Sequence, residues 1–416
     1  MTKKFSSETN LPWWKKGVIY QIYPRSFNDT SGNGIGDLKG ISKKISYLSS
    51  LGVDALWLSP IFTSPMKDMG YDVSNYTDID PLFGDIHDFE RLIEKAKENK
   101  IKVIIDQVLS HSSDAHPFFK ISKSNKNNSK SDWYVWADPN PDGSPPNNWL
   151  SVFGGSAWEW DTSREQYYLH NFLKSQPDFN FHNIDVQKWL LSTVKFWLEK
   201  GVDGFRLDTA NYYFHDKKLR NNPAIKSRAS GKNPYYYQNL KYSINQKDNF
   251  AFLKKLRKLT DQYKETTMIG EISNVELQAK YTADNDKLHM AYSFDLLRDE
   301  FSPKHIRNTV SKFFKETKDG WPTWSFSNHD VVRHLSRWNK TKKDRQKFAK
   351  LTCALLMSLK GTPCIYQGEE LGQTQTKIEF DEIKDPPGKK FWPMDFGRDG
   401  CLSLIHISEP TRQAMI

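Results

Sequence analysis

The sequence predicts an α/β fold of the TIM-barrel class, a (β/α)8 barrel with an inserted subdomain after the third strand. Strand-like segments alternate with helical ones over most of the 416 residues, which is the pattern of βα units around a parallel sheet. That length lies within the range of a barrel that carries insertions. Three of the strand-like segments end in acidic residues, Asp208, Glu271 and Asp330, and such a barrel collects its catalytic groups at the carboxyl ends of its strands.

Eight segments are predicted strands because apolar, β-branched and aromatic residues dominate them. They span residues 18–23, 55–59, 102–109, 204–208, 268–271, 292–295, 323–327 and 363–367. Apolar residues at helical spacing predict helices between them. The clearest of these helices span residues 85–99, 186–200, 250–263 and 344–360.

The alternation of strands and helices fails between the third and fourth predicted strands. Residues 112–183 are rich in Pro, Asn, Ser, Gly and Trp, and a structureless loop of that length is improbable inside a compact domain. We therefore predict an inserted subdomain over 112–183, with the two parts of the barrel at 1–111 and 184–400.

Charge and composition argue against two classes of partner. The chain has 60 Lys and Arg against 50 Asp and Glu, but the basic residues are scattered and no nucleic-acid-reading module accompanies them. No run reaches the roughly 18 apolar residues of a spanning helix, and the first residues lack the apolar core of an export signal. The three cysteines have no zinc-type spacing and fit a reducing compartment. We expect a cytoplasmic protein that binds neither nucleic acid nor membrane.

Four motifs follow one another in a fixed order, DQVLSH at 106–111, GFRLD at 204–208, GE at 270–271 and NHD at 328–330. This order resembles the four signature regions of glycoside hydrolase family 13, the α-amylase family. Further segments, QIYPRSF, GYDVSNY, QPDFN and GTPCIYQGEELG, are similar to its α-glucosidase and oligo-1,6-glucosidase branch. The resemblance implies a small-molecule sugar substrate.

The acids match the needs of a retaining glycosidase, which uses one carboxylate as nucleophile and a second as acid and then base, about 5 to 5.5 Å apart. The resemblance implies that Asp208 attacks the anomeric carbon, that Glu271 protonates the glycosidic oxygen, and that Asp330 binds sugar hydroxyls and helps to distort the ring. Arg206 shares a strand face with Asp208 and would hold it ionised, although an ordinary ion pair is the alternative.

The resemblance also implies a closed, glucose-holding end of the pocket. His111 and His329 would donate hydrogen bonds to sugar hydroxyls. Tyr71 and Asp72 would stack on the terminal glucose and bind its far hydroxyls. Arg398 would help to close this end, which favours attack on single terminal units over internal cleavage.

Two further features concern the leaving-group side of the pocket. Phe153 and Phe172 would line it, with core packing as an equal alternative. In the resembled branch, Val directly after the nucleophile accompanies α-1,6 cleavage, whereas Ala or Thr accompanies α-1,4 cleavage. Thr209 occupies that position here, so we expect short α-1,4-linked substrates such as maltose, or sucrose-like disaccharides.

A separate segment, DTSGNGIGD at 29–37, offers oxygen ligands of the kind that hard cations prefer. The candidate ligands are Asp29, Ser31, Asn33, the carbonyl of Ile35, and Asp37. The resembled branch often binds Ca²⁺ or Mg²⁺ here with more acidic middle positions, so the neutral Ser31 and Asn33 should weaken binding. A glycine-rich turn with solvated carboxylates is the alternative. No cofactor or metal is expected in catalysis.

These observations predict a retaining, exo-acting α-glucosidase that works by double displacement. A transglucosidase or sucrose isomerase would use the same glycosyl-enzyme intermediate, and a non-catalytic relative is a minor alternative. The observations leave monomer and homodimer equally open.

The last residues, CLSLIHISEPTRQAMI at 401–416, show neither helical period nor a plausible closing element. Members of the resembled family continue at this point with a final helix and a β-sandwich domain. We therefore expect residues 401–416 to be a non-native tail, the eighth helix and the C-terminal β-domain to be missing, and the chain as written to be weakly active.

Overall fold

The computed structural model describes residues 11–225, 233–339 and 344–402, and these form a parallel barrel with an inserted subdomain. The barrel strands, numbered here in chain order, are β1 Ile19–Ile22, β2 Ala55–Leu58, β3 Lys102–Gln107, β4 Gly204–Leu207, β5 Thr267–Ile272, β6 Met290–Ser293, β7 Thr323–Trp324 and β8 Thr362–Tyr366. The sheet runs in the order β6, β5, β4, β3, β2, β1, β8, β7. A single parallel bridge between Ala291 and Pro322 joins its two edges. The predicted (β/α)8 barrel is confirmed.

Helices follow most of the barrel strands, and others lie in the inserted segment and near the barrel mouth. They span Trp13–Lys16, Leu38–Ser50, Ile86–Glu98, Pro117–Ser124, Ile184–Glu199, Asp248–Thr260, Val275–Thr282, Pro303–Glu316, His334–Trp338, Arg345–Ser358, Pro386–Phe391 and Asp399–Leu402. Several begin at a side chain that accepts a hydrogen bond from a free backbone N–H, such as Asp85 before Ile86–Glu98 and Ser302 before Pro303–Glu316. The four helices predicted from spacing all form, with ends shifted by up to three residues. Within the described residues, no helix is long and apolar enough to cross a membrane.

Seven of the eight predicted strands form with ends shifted by up to two residues, and the seventh strand ends three residues earlier than predicted. The sequence predicts a strand over 323–327, whereas β7 ends at Trp324. Beyond it, the carbonyl of Phe326 accepts a hydrogen bond from the guanidinium of Arg337, and the Ser327 hydroxyl accepts one from the His334 N–H. Arg337 and the His334 N–H take the place of a neighbouring strand as hydrogen-bond partners, so the chain leaves the sheet after Trp324. The segment that follows brings Asp330 to the cavity wall.

The barrel interior changes from apolar to polar along its axis. Ile104 and Ile269 belong to an apolar cluster inside the barrel. Two residues further along β3 and β5 the same inward face carries Asp106 and Glu271, since alternate residues of a strand point to one side. The apolar cluster therefore closes one end of the barrel and forms the floor beneath the polar groups at the other end.

The inserted segment has its own small sheet and core. Three antiparallel strands, Trp136–Ala137, Gln166–Leu169 and Trp158–Asp161, pack over a separate apolar cluster that includes Trp149. A backbone bridge between His111 and Asp178 ties the end of this segment to the loop after β3. The subdomain boundaries at 112 and 183 stay a prediction. A second excursion, after β2, forms a hairpin of Phe62–Thr63 and Asn75–Ile79.

The predicted non-native tail falls almost wholly outside the described residues, which end at Leu402. The same holds for the predicted lack of an eighth helix and of a C-terminal β-domain.

Candidate active site

A cavity of about 1060 Å³ opens at the carboxyl ends of the barrel strands. Its wall includes every predicted catalytic and substrate-binding residue except Arg206 and Asp72. The members that it brings together are Tyr71, His111, Phe153, Phe172, Asp208, Thr209, Glu271, His329, Asp330 and Arg398. Strand β5 supplies Glu271 and the loops after β2, β3, β4, β7 and β8 supply the others, so positions far apart in sequence converge on one space.

The two acids predicted to do the chemistry lie side by side. Arg206 donates from Nη1 to Asp208 Oδ1 at 2.7 Å and from Nη2 to Glu271 Oε2 at 2.5 Å. Thr209 also contacts both, since its backbone N–H donates to Glu271 Oε2 at 3.0 Å and its hydroxyl to Asp208 Oδ2 at 3.2 Å. Two carboxyl groups on one guanidinium are close neighbours, as a retaining mechanism requires.

Arg206 lies just below the cavity floor and is fully buried. Besides the two acids, it contacts Asp106 Oδ1 at 2.8 Å and the Tyr292 hydroxyl at 2.7 Å. Burial disfavours its charge, but Asp106 and Glu271 outweigh that effect and raise the pKa of Arg206 above its usual value. The guanidinium is therefore a permanent cation among three carboxyl groups, which is more than the single ion pair considered from sequence.

The surroundings of Glu271 favour its protonated form. Burial raises its pKa to about 8, and the negative charges of Asp208 and Asp330 add to the shift while Arg206 opposes it. A carboxylic acid that keeps its proton at neutral pH can donate it to a leaving group.

Backbone strain at Thr209 helps to place these acids. Its φ of 39° lies in the left-handed region, which is rare for a β-branched residue. Such strain persists only where the surroundings impose it, and it concentrates at functional sites. Here the strained turn aims the Thr209 N–H at Glu271.

One end of the cavity is closed by charged residues. Arg398 donates from Nη2 to Asp68 Oδ1 at 2.5 Å and to Asp385 Oδ1 at 2.7 Å, and its Nη1 lies 3.6 Å from Asp330 Oδ1. Burial raises the pKa of Asp68 to about 6, although the charge of Arg398 opposes the shift. The Phe153 ring lies 5.6 Å from the Arg398 guanidinium and supports it.

The structure corrects the role predicted for Asp72. That side chain is fully buried and does not line the cavity. Its carboxylate accepts hydrogen bonds from the Ser64 hydroxyl and from the backbone N–H groups of Lys67 and Asp68. Asp72 therefore folds the preceding loop, and Asp68 is the acid that this loop presents to the cavity.

His329 and Tyr71 form a stacked pair at the floor, with ring centroids 5.3 Å apart. Burial lowers the pKa of His329 to about 4, so the ring is neutral. Its Nδ1 lies 2.8 Å from the Gln21 amide nitrogen and its Nε2 lies 2.6 Å from the Tyr71 hydroxyl, which in turn donates to Asp106. Both ring nitrogens thus have protein partners, and the donation to sugar predicted from sequence requires one of them to be released.

Aromatic rings form another part of the cavity wall, beginning beside Arg398. Phe172 lies 5.7 Å from Phe153, 5.2 Å from His111 and 5.5 Å from Tyr212. Phe153 and Phe172 both line the cavity and neither is fully buried, so the structure favours a wall over a core role. Tyr235 and Tyr236 extend this wall towards the opening.

The predicted cation ligands lie outside the cavity wall and have protein partners of their own. The carboxylate of Asp29 accepts the N–H groups of the loop that follows it, and Asp37 accepts from Thr30 and caps Leu38–Ser50. Across the described ranges, no group of three or more His, Cys, Asp or Glu side chains could hold a metal ion. These partners leave the loop a poor fit for a tightly held cation, and no chemical step is assigned to one.

Sequence reasoning missed two residues of the closed end, Asp68 and Asp385. Asp68 stands three residues before Tyr71 in KDMGYD, so its nearness to that motif is a usable signal. Asp385 belongs to none of the motifs. Only its hydrogen bonds with Arg398 in the folded structure identify it.

A (β/α)8 barrel with two adjacent buried acids, one of which has a raised pKa, has the arrangement of a retaining glycoside hydrolase. The chain belongs to the α-amylase family, since the family model described as "Alpha amylase, catalytic domain" matches residues 21–400.

Relatives agree with that family. The chain is 52% identical over 405 residues to a probable alpha-glucosidase of Rhizobium meliloti (strain 1021), covering 95% of this chain and 74% of the relative. It is 41% identical to an oligo-1,6-glucosidase of Heyndrickxia coagulans, covering 90% and 69%. Among solved structures, an alpha-glucosyl transfer enzyme superposes with a TM-score of 0.93 at 52% identity, covering 95% and 75%. A trehalulose synthase superposes with a TM-score of 0.87 at 32% identity, covering 95% and 76%.

Replacing Arg206 with Met is expected to lower the free energy of unfolding by about 3 to 5 kcal/mol, because it leaves buried carboxyl groups without their cation. Chemical denaturation of the variant measures this loss. The matched control is Arg220→Met, since Arg220 pairs with Asp216 at 2.9 Å but is half exposed, and such surface pairs contribute about 1 kcal/mol or less. Equal losses in the two variants would contradict the central role of Arg206.

Proposed function

We propose that the protein is a retaining, exo-acting α-glucosidase that removes terminal α-linked glucose from short sugars by double displacement. The observation that carries the proposal is the pair Asp208 and Glu271, which contact the same guanidinium. A nucleophile has to be ionised and a general acid has to be protonated, and the pair can supply one of each. The α-glucosidase and oligo-1,6-glucosidase names of the relatives support the same substrate class.

In the first step, Glu271 gives its proton to the glycosidic oxygen while Asp208 attacks the anomeric carbon. The bond to the leaving sugar breaks, and glucose stays as an ester on Asp208. Forming the ester removes the negative charge of Asp208, and that charge is one cause of the raised pKa of Glu271. Glu271 therefore becomes a stronger acid, stays ionised, and can take a proton from the water that attacks in the second step.

The closed end supports attack on terminal units. Asp68, Arg398 and Asp330 surround this end with charged groups that can bind the hydroxyls of one glucose ring. A longer chain cannot pass between Asp68 and Arg398, because their side chains are hydrogen-bonded to each other at 2.5 Å. The non-reducing glucose therefore occupies this end, and the remainder of the substrate extends towards the aromatic wall.

Transfer of glucose to another sugar is the second candidate function. An alpha-glucosyl transfer enzyme is 52% identical to this chain and superposes with a TM-score of 0.93. The aromatic wall of Phe172, Tyr212 and Tyr236 offers flat rings on which an acceptor sugar could stack in place of water. The glycosyl ester on Asp208 is common to both functions.

The deciding experiment compares maltose, isomaltose, sucrose and starch as substrates. We expect glucose to be released fastest from the α-1,4-linked disaccharide maltose or from sucrose, slowly from starch, and first as the α-anomer by NMR. Larger saccharides as the main products indicate transfer. Cleavage of internal starch bonds, or first release of the β-anomer, would contradict the proposal.

The pH profile of kcat/KM tests the acid role of Glu271. The acid form is present below its pKa of about 8 and is lost as the pH rises through that value, so activity on maltose should fall on this basic limb. α-Glucosyl fluoride needs no proton on its leaving group and should lack the limb. If kcat/KM for the fluoride fell at high pH as steeply as kcat/KM for maltose, Glu271 would not be the general acid.

We also propose that the 29–37 loop binds Ca²⁺ or Mg²⁺ only weakly. Neutral Ser31 and Asn33 replace anionic ligands, and the oxygens of Asp29 already accept loop N–H groups. Thermal unfolding should be insensitive to either cation until millimolar concentrations are reached. A marked rise of Tm at micromolar cation would show a tighter site.

We infer a cytoplasmic location. The support is chemical: Cys353, Cys364 and Cys401 are all free thiols in the described chain, as is usual in a reducing compartment.

A further inference from the structure

A chain of hydrogen-bonding side chains runs along the cavity wall, starting from Asp208. The Thr209 hydroxyl donates to Asp208 Oδ2 at 3.2 Å. The Ser110 hydroxyl oxygen lies 3.0 Å from Thr209 Oγ1 and 2.9 Å from Nδ1 of His111. On the other side of that ring, Nε2 lies 3.1 Å from the amide nitrogen of Gln176. All five residues are buried, and His111, Asp208 and Thr209 also line the cavity.

The Gln176 amide can be oriented in only one way. Its Oε1 accepts the backbone N–H of Leu173 at 3.0 Å, so its nitrogen points to the cavity wall. One hydrogen of that nitrogen goes to Asp68 Oδ2 at 2.8 Å. The other points at His111 Nε2. Because an amide nitrogen only donates, His111 Nε2 has to accept.

The tautomer of His111 follows from this orientation. Burial lowers the pKa of His111, so the ring is neutral and carries its one hydrogen on Nδ1. That hydrogen goes to the Ser110 oxygen, the Ser110 hydrogen goes to Thr209, and the Thr209 hydrogen goes to Asp208. Every contact in the chain then has one donor and one acceptor.

The opposite tautomer satisfies fewer contacts. With its hydrogen on Nε2, His111 could donate to the Tyr71 carbonyl at 3.2 Å. It would then face the Gln176 N–H with a second N–H, and Ser110 would have to turn its hydrogen to Nδ1. Thr209 could in that case reach Ser110 or Asp208, but not both. This tautomer gains the hydrogen bond to the Tyr71 carbonyl. It loses the hydrogen bond from Gln176 and one of the two that involve the Thr209 hydroxyl.

We propose that Ser110 is a positioning residue of the reaction, the middle member of a one-directional relay from His111 through Thr209 to Asp208. The inference rests on the proposed function, because it assumes that Asp208 is the nucleophile. Arg206 holds one oxygen of that carboxylate and the relay holds the other, so its attacking geometry is set from both sides.

The relay also reverses the role predicted for His111. With its hydrogen on Nδ1, the ring offers a lone pair at Nε2, so a sugar hydroxyl that approaches this atom donates to it. Gln176 links this end of the relay to Asp68, the acid at the closed end. A continuous series of hydrogen bonds therefore connects Asp208 with Asp68.

The tautomer is tested by NMR of the full chain with ¹⁵N-labelled histidine rings. The His111 signals, identified by their loss in His111→Asn, should show a protonated Nδ1 and an unprotonated Nε2. Gln176→Met removes the donor that fixes this state and should shift the ring towards Nε2–H. A protonated Nε2 in the unchanged protein would overturn the proposal. Because no turnover is needed, the result stands even if the α-glucosidase assignment fails.

Kinetics on maltose test the relay itself. Ser110→Ala and Thr209→Val should each lower kcat/KM by about tenfold to a hundredfold, mainly through kcat, as expected for a lost bond to a charged group. Thr209→Ser keeps the hydroxyl and should recover most of that loss. The double variant should be no worse than the poorer single variant, since one break already interrupts the relay.

Thermal unfolding shows whether each variant is folded, and the exposed Ser192→Ala serves as a matched serine control. Fully additive losses, or Ser110→Ala within twofold of the unchanged enzyme, would overturn the relay. Activity lost in the double variant beyond the sum of the single losses would do the same.

Discussion

Replacing Asp208 with Asn is expected to lower kcat on maltose by about four powers of ten or more, because an amide cannot form the glycosyl ester. The change is nearly isosteric, and the Asn oxygen can still accept from Arg206. The loss should therefore appear in kcat, while the fold and the cavity stay intact. Initial rates with purified protein, together with thermal unfolding, measure both quantities.

The matched control is Asp138→Asn. Asp138 is an exposed carboxylate of the inserted segment that pairs with Lys126 at 3.4 Å and accepts from the Gln166 amide at 2.9 Å, and it does not line the cavity. Its activity should stay close to that of the unchanged enzyme. If Asp208→Asn kept even a hundredth of the original kcat, a different residue would have to be the nucleophile.

Replacing Glu271 with Gln is expected to lower kcat on maltose by about a thousandfold, within the range for loss of a general acid and base. The effect should depend on the leaving group. α-Glucosyl fluoride still loads the enzyme because its departure needs no proton, but water is no longer activated, so the glucosyl ester should accumulate. Mass spectrometry should find one added glucosyl unit on the peptide that contains Asp208.

Glu276→Gln provides the control for that experiment. Glu276 lies five residues after Glu271, in the helix Val275–Thr282 that follows β5; it is outside the cavity wall and pairs with Lys312. It should turn over both substrates normally. If α-glucosyl fluoride failed to load the Glu271→Gln variant with a glucosyl ester, Glu271 would only support the fold.

The barrel and its acids could be predicted because both follow from local patterns. A strand's alternation places Asp106 beyond Ile104 and Glu271 beyond Ile269 on one inward face, and the carboxyl ends of parallel strands meet at one rim. The family motifs then supplied the roles of Asp208 and Glu271. These roles stay predictions until the variants are measured.

The closed end could not be predicted from those patterns, because it depends on how loops fold. Asp68 and Asp72 lie in one short segment, and nearness to Tyr71 marks both as candidates without showing which of them faces the cavity. In the structure, the Asp72 carboxylate accepts hydrogen bonds from backbone N–H groups of its own loop, so it does not face the cavity. Asp385 is harder still, because its partner Arg398 lies in a loop without regular spacing.

Arg206 also limits how this active site can change over generations. Three acids, Asp106, Asp208 and Glu271, depend on the same guanidinium, so a substitution at any one of them alters the charge balance felt by the others. We therefore expect combined substitutions at these four positions to be strongly non-additive, so that the tolerance of each position depends on the other three.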